Sequence, residues 1–98
     1  MNTQATTIRQ MLGAEPGPGR LADSVLLIID AQREYVDGKL RLAGIEESLA
    51  VGGVLLARAR AAGTPVVHVL HRGGGPLFNP EGVHFQPAAP LIPLPGEA

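Results

Sequence analysis

The feature that most constrains this chain is an unbroken apolar run, residues 25–29, that ends abruptly at the carboxylate of Asp30. An apolar run without polar alternation predicts a strand that is buried on both faces, as in a parallel sheet. Ligands of open α/β sheets bind beyond the carboxyl ends of the strands. Asp30 therefore stands where chemistry is expected, although capping of the following turn explains this aspartate equally well from its position alone.

A helix and a second strand are predicted after this run. Small and apolar residues recur at helical spacing and predict a helix over residues 45–62, which a Gly-Thr-Pro sequence then ends. Residues 66–72 predict the second strand. The three elements form a βαβ unit, so we expect Asp30 and His71 near the same edge of the sheet. The predicted inner face of the helix consists of Ile45, Leu49, Gly52, Leu56 and Ala59.

Three glycines have a predicted structural purpose. Gly38 lies in a predicted turn after the first strand and is expected to supply a positive φ. Gly52 and Gly53 lie inside the predicted helix, where each glycine costs about 1 kcal/mol relative to alanine. Close approach of the helix to the sheet explains this pair, and simple tolerance explains it equally well.

Both ends of the chain are predicted to be irregular. Residues 1–20 are expected to form an extension, with a short helix from about Thr3 and a Pro/Gly-rich linker over residues 15–19. Residues 72–98 are rich in glycine and proline and predict a long loop, which in a compact domain is typically functional or disordered. The loop carries apolar residues that are expected to pack over another part of the molecule: Phe78, Val83, Phe85, Leu91, Ile92 and Leu94.

The composition excludes several classes of protein. A length of 98 residues allows one small domain, and a net charge of −1 argues against binding to nucleic acid or to an anionic membrane. The sequence contains no cysteine, so within these residues there is neither a disulfide, nor a thiolate metal site, nor a cysteine nucleophile. No signal peptide or membrane-spanning run is recognised, so a cytoplasmic location is expected.

The residues around Asp30 resemble the motif that opens isochorismatase-like cysteine hydrolases. In both, an apolar strand is followed by Asp30, any residue, Gln32, two polar residues and an aromatic residue, here Tyr35. The order of the following helix, strand and Pro/Gly-rich loop also agrees. The resemblance covers about residues 21–97, which is roughly the first half of a family domain, and leaves residues 1–20 as an N-terminal extension and linker. It implies an α/β, three-layer α/β/α Rossmann-like parallel sheet, represented here by its first βαβ unit and the long loop over residues 21–98.

The resemblance also implies a chemistry. In the family, a triad of aspartate, lysine and cysteine hydrolyses an amide: the aspartate takes the thiol proton and the thiolate attacks the carbon. Asp30 matches the aspartate, whereas the lysine and cysteine are expected after residue 98, so this chain alone lacks the nucleophile. One branch of the family instead hydrolyses the vinyl ether of isochorismate with the aspartate as general acid, which needs an apolar pocket that keeps the acid protonated.

Further site residues follow from the same resemblance, for Gln32 and Tyr35, and from the position at the end of the predicted second strand, for His71 and Arg72. Gln32 and Tyr35 match positions near the substrate pocket, although a turn residue and an apolar plug are the simpler interpretations. His71 is expected to line the pocket, and Arg72 is expected to meet a substrate carboxylate or merely a surface acid. The glycines after Arg72 predict an anion cradle only weakly.

No metal or other cofactor is expected. Amidases of the nicotinamide branch bind a metal through an Asp-x-His arrangement after the second strand, and the residues after His71 here do not match it. His68 and His71 are three positions apart in a predicted strand, so they point to opposite faces. His68 is expected to be a core histidine that is satisfied by a hydrogen bond.

Three functional hypotheses stay open at this point. The first is a hydrolase of a small-molecule amide or vinyl ether with Asp30 as proton-transfer residue. The second is a non-catalytic fragment or interaction module whose open sheet edges need a complementary C-terminal half or a second copy in a homo-oligomer. The third is a flavodoxin-like binding unit with Asp30 at a ligand or phosphoacceptor edge, which the Gln32 and Tyr35 pattern disfavours.

Overall fold

The computed structural model describes residues 5–13 and 17–98 of the chain. Its helices and strands are, in chain order, α1 (Ile8–Met11), β1 (Leu26–Ile29), α2 (Ile45–Ala61) and β2 (Val66–Val69). Single 3-10 turns lie at Leu21–Asp23, Arg33–Tyr35 and Val83–Phe85. Within the described residues, no helix is both long and apolar enough to cross a membrane.

β1 and β2 form a parallel pair, as the sequence predicts. Leu26 lies opposite Val66 and Ile28 lies opposite His68. Because the strands are parallel and α2 connects them, their carboxyl ends meet at one edge of the sheet. β2 ends at Val69, three residues before the predicted strand end, and the chain continues there as an irregular segment.

The boundaries of α2 agree with the predicted helix to within one residue. Gly44 precedes the helix with φ of 74°, and Gly63 follows it with φ of 72°, the left-handed conformation that commonly ends a helix. The helix buries three of the residues on its predicted inner face: Leu49, Leu56 and Ala59. Acidic residues in its first turn and arginines in its last turn complement the helix dipole.

The predicted burial of β1 on both faces is wrong. Leu26 and Ile28 pack against the core, whereas the side chains between and after them, Leu27 and Ile29, are 53% and 60% exposed. The physical reason is that α2 lies on one face of the sheet only. In the described part of the chain the other face of β1 is an apolar surface open to solvent.

The C-terminal loop completes the core on the side of α2. Its residues Ala88 and Leu91 are buried with Leu49, Leu56 and Val66 in one hydrophobic cluster. The expectation that this loop packs over another part of the molecule is thus met at Phe78 and Leu91, while Val83, Ile92 and Leu94 are exposed.

The two helical glycines allow this loop, not the sheet, to approach α2. A Cβ atom at Gly52 would lie 3.1 Å from Cδ1 of Leu91, and one at Gly53 would lie 2.6 Å from Cγ of Pro90. Close approach is therefore the correct explanation for the pair, but the predicted partner, the sheet, is wrong.

The end of the chain is fixed by an ion cluster, which we call the Glu97 clasp. Glu97 accepts hydrogen bonds from Nε and Nη2 of Arg60, both 2.8 Å, and from the backbone N–H of Leu94, and it lies 2.9 Å from Nε2 of His68. These neighbours, Arg60 foremost, hold the pKa of the Glu97 carboxyl far below its usual range. His68 is thereby the hydrogen-bonded core histidine that the sequence predicts, with a side chain that is 6% exposed.

The N-terminal region is described only in part. α1 begins after Thr7, whose hydroxyl accepts a hydrogen bond from the backbone N–H of Gln10, and the Gln10 side-chain oxygen accepts one from the backbone N–H of Thr7. The predicted helix start at Thr3 lies outside the described residues, and so does the beginning of the predicted linker at residues 15–16.

Candidate active site

Asp30 lies directly after β1, at the edge of the sheet where both strands end. Its backbone N–H donates a 2.8 Å hydrogen bond to the carbonyl oxygen of Val69, the last residue of β2. The φ angle of Asp30 is +58°, in the left-handed region that is uncommon for residues other than glycine. Backbone conformations of this kind cost free energy and persist only where the surrounding structure enforces them. They are found preferentially at functional sites.

Gln32 joins the two strand ends. The side chain is 1% exposed. Its Nε2 donates to the carbonyl oxygens of His71 (3.0 Å) and Phe85 (2.8 Å), and its Oε1 accepts from the backbone N–H of His71 (2.8 Å). This side chain therefore fixes the backbone after β2 beside the turn after β1. The three hydrogen bonds give the Gln32 amide a structural role. A direct contact between Gln32 and substrate stays a prediction.

Tyr35 and His71 are brought together by a third ring, that of Phe78. The His71 and Phe78 rings are stacked, with centroids 4.4 Å apart and planes at 23°. The Tyr35 and Phe78 rings are tilted by 60° with centroids 5.3 Å apart. Phe78 is 4% exposed, whereas His71 is exposed. These three residues form a single group, here called the aromatic cluster.

Glu34 is a buried carboxylate that the sequence prediction missed. The residue is 2% exposed. Its Oε2 accepts a hydrogen bond from the backbone N–H of Lys39 (2.8 Å), and its Oε1 accepts one from the backbone N–H of Phe78 (2.9 Å). These two bonds lower the pKa of the Glu34 carboxyl. Glutamate between Gln32 and Tyr35 looks like a solvated polar residue in the sequence, because its partner Phe78 is 44 positions away.

Gly38 is the nearby residue whose identity reflects the burial of Glu34. The predicted positive φ at Gly38 is wrong, because it is not among the described glycines with positive φ. Glycine is required there for space: a Cβ atom would lie 2.2 Å from Oε2 of Glu34 and 2.6 Å from its Cα.

Arg72 is exposed and directly follows His71 of the aromatic cluster. It lines a shallow depression together with Gly73, Gly74, Asn79, Pro80 and Glu81. A second depression is lined by Arg33, Val36, Asp37 and residues of the C-terminal loop. Asp30 lines neither of them. Among residues 5–13 and 17–98, no three side chains of histidine, cysteine, aspartate or glutamate converge as metal ligands would.

Comparison with known proteins identifies relatives over most of the chain. A protein of Verticillium dahliae named "Secreted isochorismatase effector Isc1" is 43% identical over 95 residues, which are 95% of this chain and 50% of that protein. "Isochorismatase-like protein asqB" of Emericella nidulans is 37% identical over 71 residues, which are 72% of this chain and 51% of that protein. No family model matches.

A solved structure shows the same architecture. The crystal structure of an isochorismatase from Pseudomonas putida superimposes with a TM-score of 0.81 at 41% identity, covering 96% of this chain and 49% of that one. This likeness confirms the predicted α/β fold class, of which the described residues form a βαβ unit with its long loop. The chain thus spans about half the length of the relatives it matches.

Proposed function

Since the chain belongs to the isochorismatase-like family and spans about half the length of its relatives, we propose that it contributes to the hydrolysis of a small-molecule amide or vinyl ether, with Asp30 as the proton-transfer residue. The observation that carries this proposal is the placement of Asp30. Its backbone adopts a left-handed φ, its N–H is tied to the end of β2, and it follows β1 at the edge where ligands of α/β sheets bind.

The neighbours of Asp30 support a small-molecule site. Gln32 fixes the backbone of His71, and the exposed imidazole of His71 is stacked on Phe78. A flat, partly exposed ring near the strand ends suits a small planar substrate, because aromatic faces bind planar groups by stacking. We include Gln32, Tyr35, His71 and Arg72 in the proposed substrate site, with Arg72 at its periphery.

The two proposed reactions require different protonation states of the Asp30 carboxyl group. In amide hydrolysis by the family triad, Asp30 accepts the proton of a cysteine thiol, and the thiolate attacks the carbonyl carbon. That mechanism also needs a lysine and a cysteine of the triad, which are not among these 98 residues. In vinyl ether hydrolysis, Asp30 donates a proton to the substrate, so its carboxyl group has to be protonated in the complex.

A second candidate function is that of an interaction module. The specific observation in its favour is the uncovered face of the sheet, where Leu27, Ile29 and Val69 are 53%, 60% and 43% exposed. Apolar side chains on an exposed sheet face favour association with more polypeptide, either a complementary half or a second copy.

The substitution Asp30→Asn in the full-length protein tests the hydrolase proposal. Because the amide cannot take up or release the proton, we expect kcat/KM to fall by at least roughly 100-fold on isochorismate or on a simple amide such as nicotinamide, whichever the unmodified protein hydrolyses. The fold should survive, since the Asp30 contact to Val69 is made by the backbone.

Asp23→Asn is the matched control, because Asp23 is an exposed aspartate seven positions before the site. It should retain full activity. Unchanged turnover in the Asp30→Asn protein would exclude the proton-transfer role. A full-length protein with neither hydrolytic activity would favour the interaction module.

The predicted cytoplasmic location stays a prediction. The name of the Verticillium dahliae relative describes that protein as a secreted effector, which is a different location from the one predicted here. Fractionation of the source cells and their culture medium, with detection of the full-length protein in each, distinguishes the two locations.

A further inference from the structure

The geometry points to Glu34 as a positioning residue of the proposed site. Its buried carboxylate fixes the backbone of two loops and thereby holds the Phe78 ring against the imidazole of His71. The inference rests on the proposed function, because it assigns Glu34 a part in arranging the surface that Asp30 and His71 offer to a substrate.

The carboxylate of Glu34 bridges two segments that are distant in sequence. One oxygen accepts the N–H of Lys39, five positions away, and the other accepts the N–H of Phe78, 44 positions away. A carboxylate that is 2% exposed is costly unless hydrogen bonds compensate for its lost hydration. Because both oxygens accept backbone donors, the buried charge stabilises this arrangement of the two loops more than any other.

The loop that ends at Phe78 is tightly closed. The backbone N–H of Gly73 donates a 2.8 Å hydrogen bond to the carbonyl oxygen of Phe78, and a Cβ atom at Gly73 would lie 2.2 Å from the carbonyl oxygen of Leu77. Phe78 itself has φ of +52°, an unfavourable value for a bulky residue. Such a conformation persists only where neighbouring contacts enforce it, and the Glu34 carboxylate is the contact at that N–H.

The enforced conformation decides where the Phe78 ring lies. The ring packs between Tyr35, at 5.3 Å, and His71, at 4.4 Å. Gln32 already fixes the backbone of His71, and the Phe78 ring covers one face of its imidazole. Glu34 therefore acts on the proposed site through Phe78, without contacting the substrate itself.

Gly38 packs directly against Glu34. A methyl group at this position would overlap Oε2 of Glu34 at 2.2 Å, its Cα at 2.6 Å and its carbonyl oxygen at 2.8 Å. Glu34 therefore occupies this place, backbone and carboxylate alike, only because residue 38 has no side chain.

The test is Glu34→Gln in the full-length protein, followed by NMR of the histidine Hε1 protons and by kinetics. Both carboxylate oxygens accept N–H groups, so the glutamine NH2 must face one donor and release one loop. The stacked Phe78 ring displaces the Hε1 resonance of His71 by its ring current, and the resonance is assigned with His71→Gln. We expect this displacement to diminish and KM to rise roughly tenfold with a smaller change in kcat.

Glu97→Gln is the matched control, because Glu97 is also a largely buried carboxylate that accepts a backbone N–H, in the Glu97 clasp. It should lower the melting temperature and shift the resonance of His68, while it leaves that of His71 and the KM unchanged.

The outcomes separate this inference from the proposed function. An unchanged His71 resonance in Glu34→Gln, or an equal change of that resonance in Glu97→Gln, would overturn the positioning role. A changed His71 resonance with unchanged KM would overturn the link to substrate. If the full-length protein shows no hydrolase activity, the proposed function fails, and the His71 resonance still decides whether Glu34 holds the aromatic cluster.

Discussion

At the scale of single residues, the described structure depends on glycines whose lack of a side chain leaves space for neighbouring residues. Gly38 leaves space for the Glu34 carboxylate, and Gly53 leaves space for the Pro90 ring. In both cases the requirement comes from a neighbour and not from the φ angle of the glycine. Substitution by alanine is therefore expected to be unfavourable at positions where backbone propensity alone does not forbid it.

Gly53→Ala separates these two effects, because they have opposite signs at this position. Helix propensity favours alanine over glycine by about 1 kcal/mol in the interior of α2. The new Cβ atom would lie 2.6 Å from Cγ of Pro90, and overpacking of this kind typically costs about 1–3 kcal/mol. We expect a net decrease in the free energy of unfolding of roughly 1 kcal/mol, measured by denaturant titration of the full-length protein.

The control is Gly74→Ala. A Cβ atom at Gly74 meets nothing within 4 Å, and the φ angle there is not positive. This variant should unfold with the same midpoint as the unmodified protein. Stabilisation by Gly53→Ala would mean that the loop at Pro90 yields easily and does not press on α2.

At the scale of elements, α2 and the C-terminal loop are joined by charge as well as by packing. The Glu97 clasp links the last turn of α2 through Arg60 to β2 through His68. Its geometry is bidentate and largely buried, unlike that of the exposed pair between Arg33 and Asp37, which is expected to contribute little.

The clasp predicts a specific dependence of stability on pH. Because the folded-state pKa of Glu97 lies below the unfolded value of about 4.3, its contribution is fully present above that value and is lost as the pH falls through the folded-state pKa. We expect the free energy of unfolding to decrease below about pH 4.3 with a smaller slope in Glu97→Gln than in the unmodified protein. Equal slopes in both proteins would show that the clasp does not contribute to acid stability.

The elements also show what the sequence can predict. The bounds of α2 were predictable to within one residue, because helical periodicity and a glycine stop are local properties. The exposed face of β1 was not, since an apolar run does not reveal how many layers cover it. Glu34 was not predictable either, because its burial depends on the backbone of Phe78. Asp30 was placed correctly at the strand end, while its left-handed φ emerged only from the structure.

At the scale of the whole molecule, the sheet has one covered and one open face among the residues that the structure describes. α2 and the C-terminal loop cover Leu26, Ile28 and Val66, while Leu27 and Ile29 face solvent. A chain of this size buries roughly 65% of its unfolded surface, which leaves little stability to offset an apolar surface in water. Parallel sheets occur almost only with both faces covered.

This imbalance predicts how a polypeptide of residues 1–98 behaves by itself. We expect it to associate in a concentration-dependent manner and to lack a cooperative thermal transition as a monomer, because the open apolar face favours contact with other polypeptide. Analytical ultracentrifugation and thermal scans at several concentrations measure both properties.

Leu27→Lys should reduce the association, because it places a charge in the middle of the open face. Val51→Lys, on the solvent side of α2 where Val51 is 71% exposed, should leave it unchanged. A monomer with a cooperative transition would show that α2, the loop and the Glu97 clasp suffice to hold the βαβ unit together.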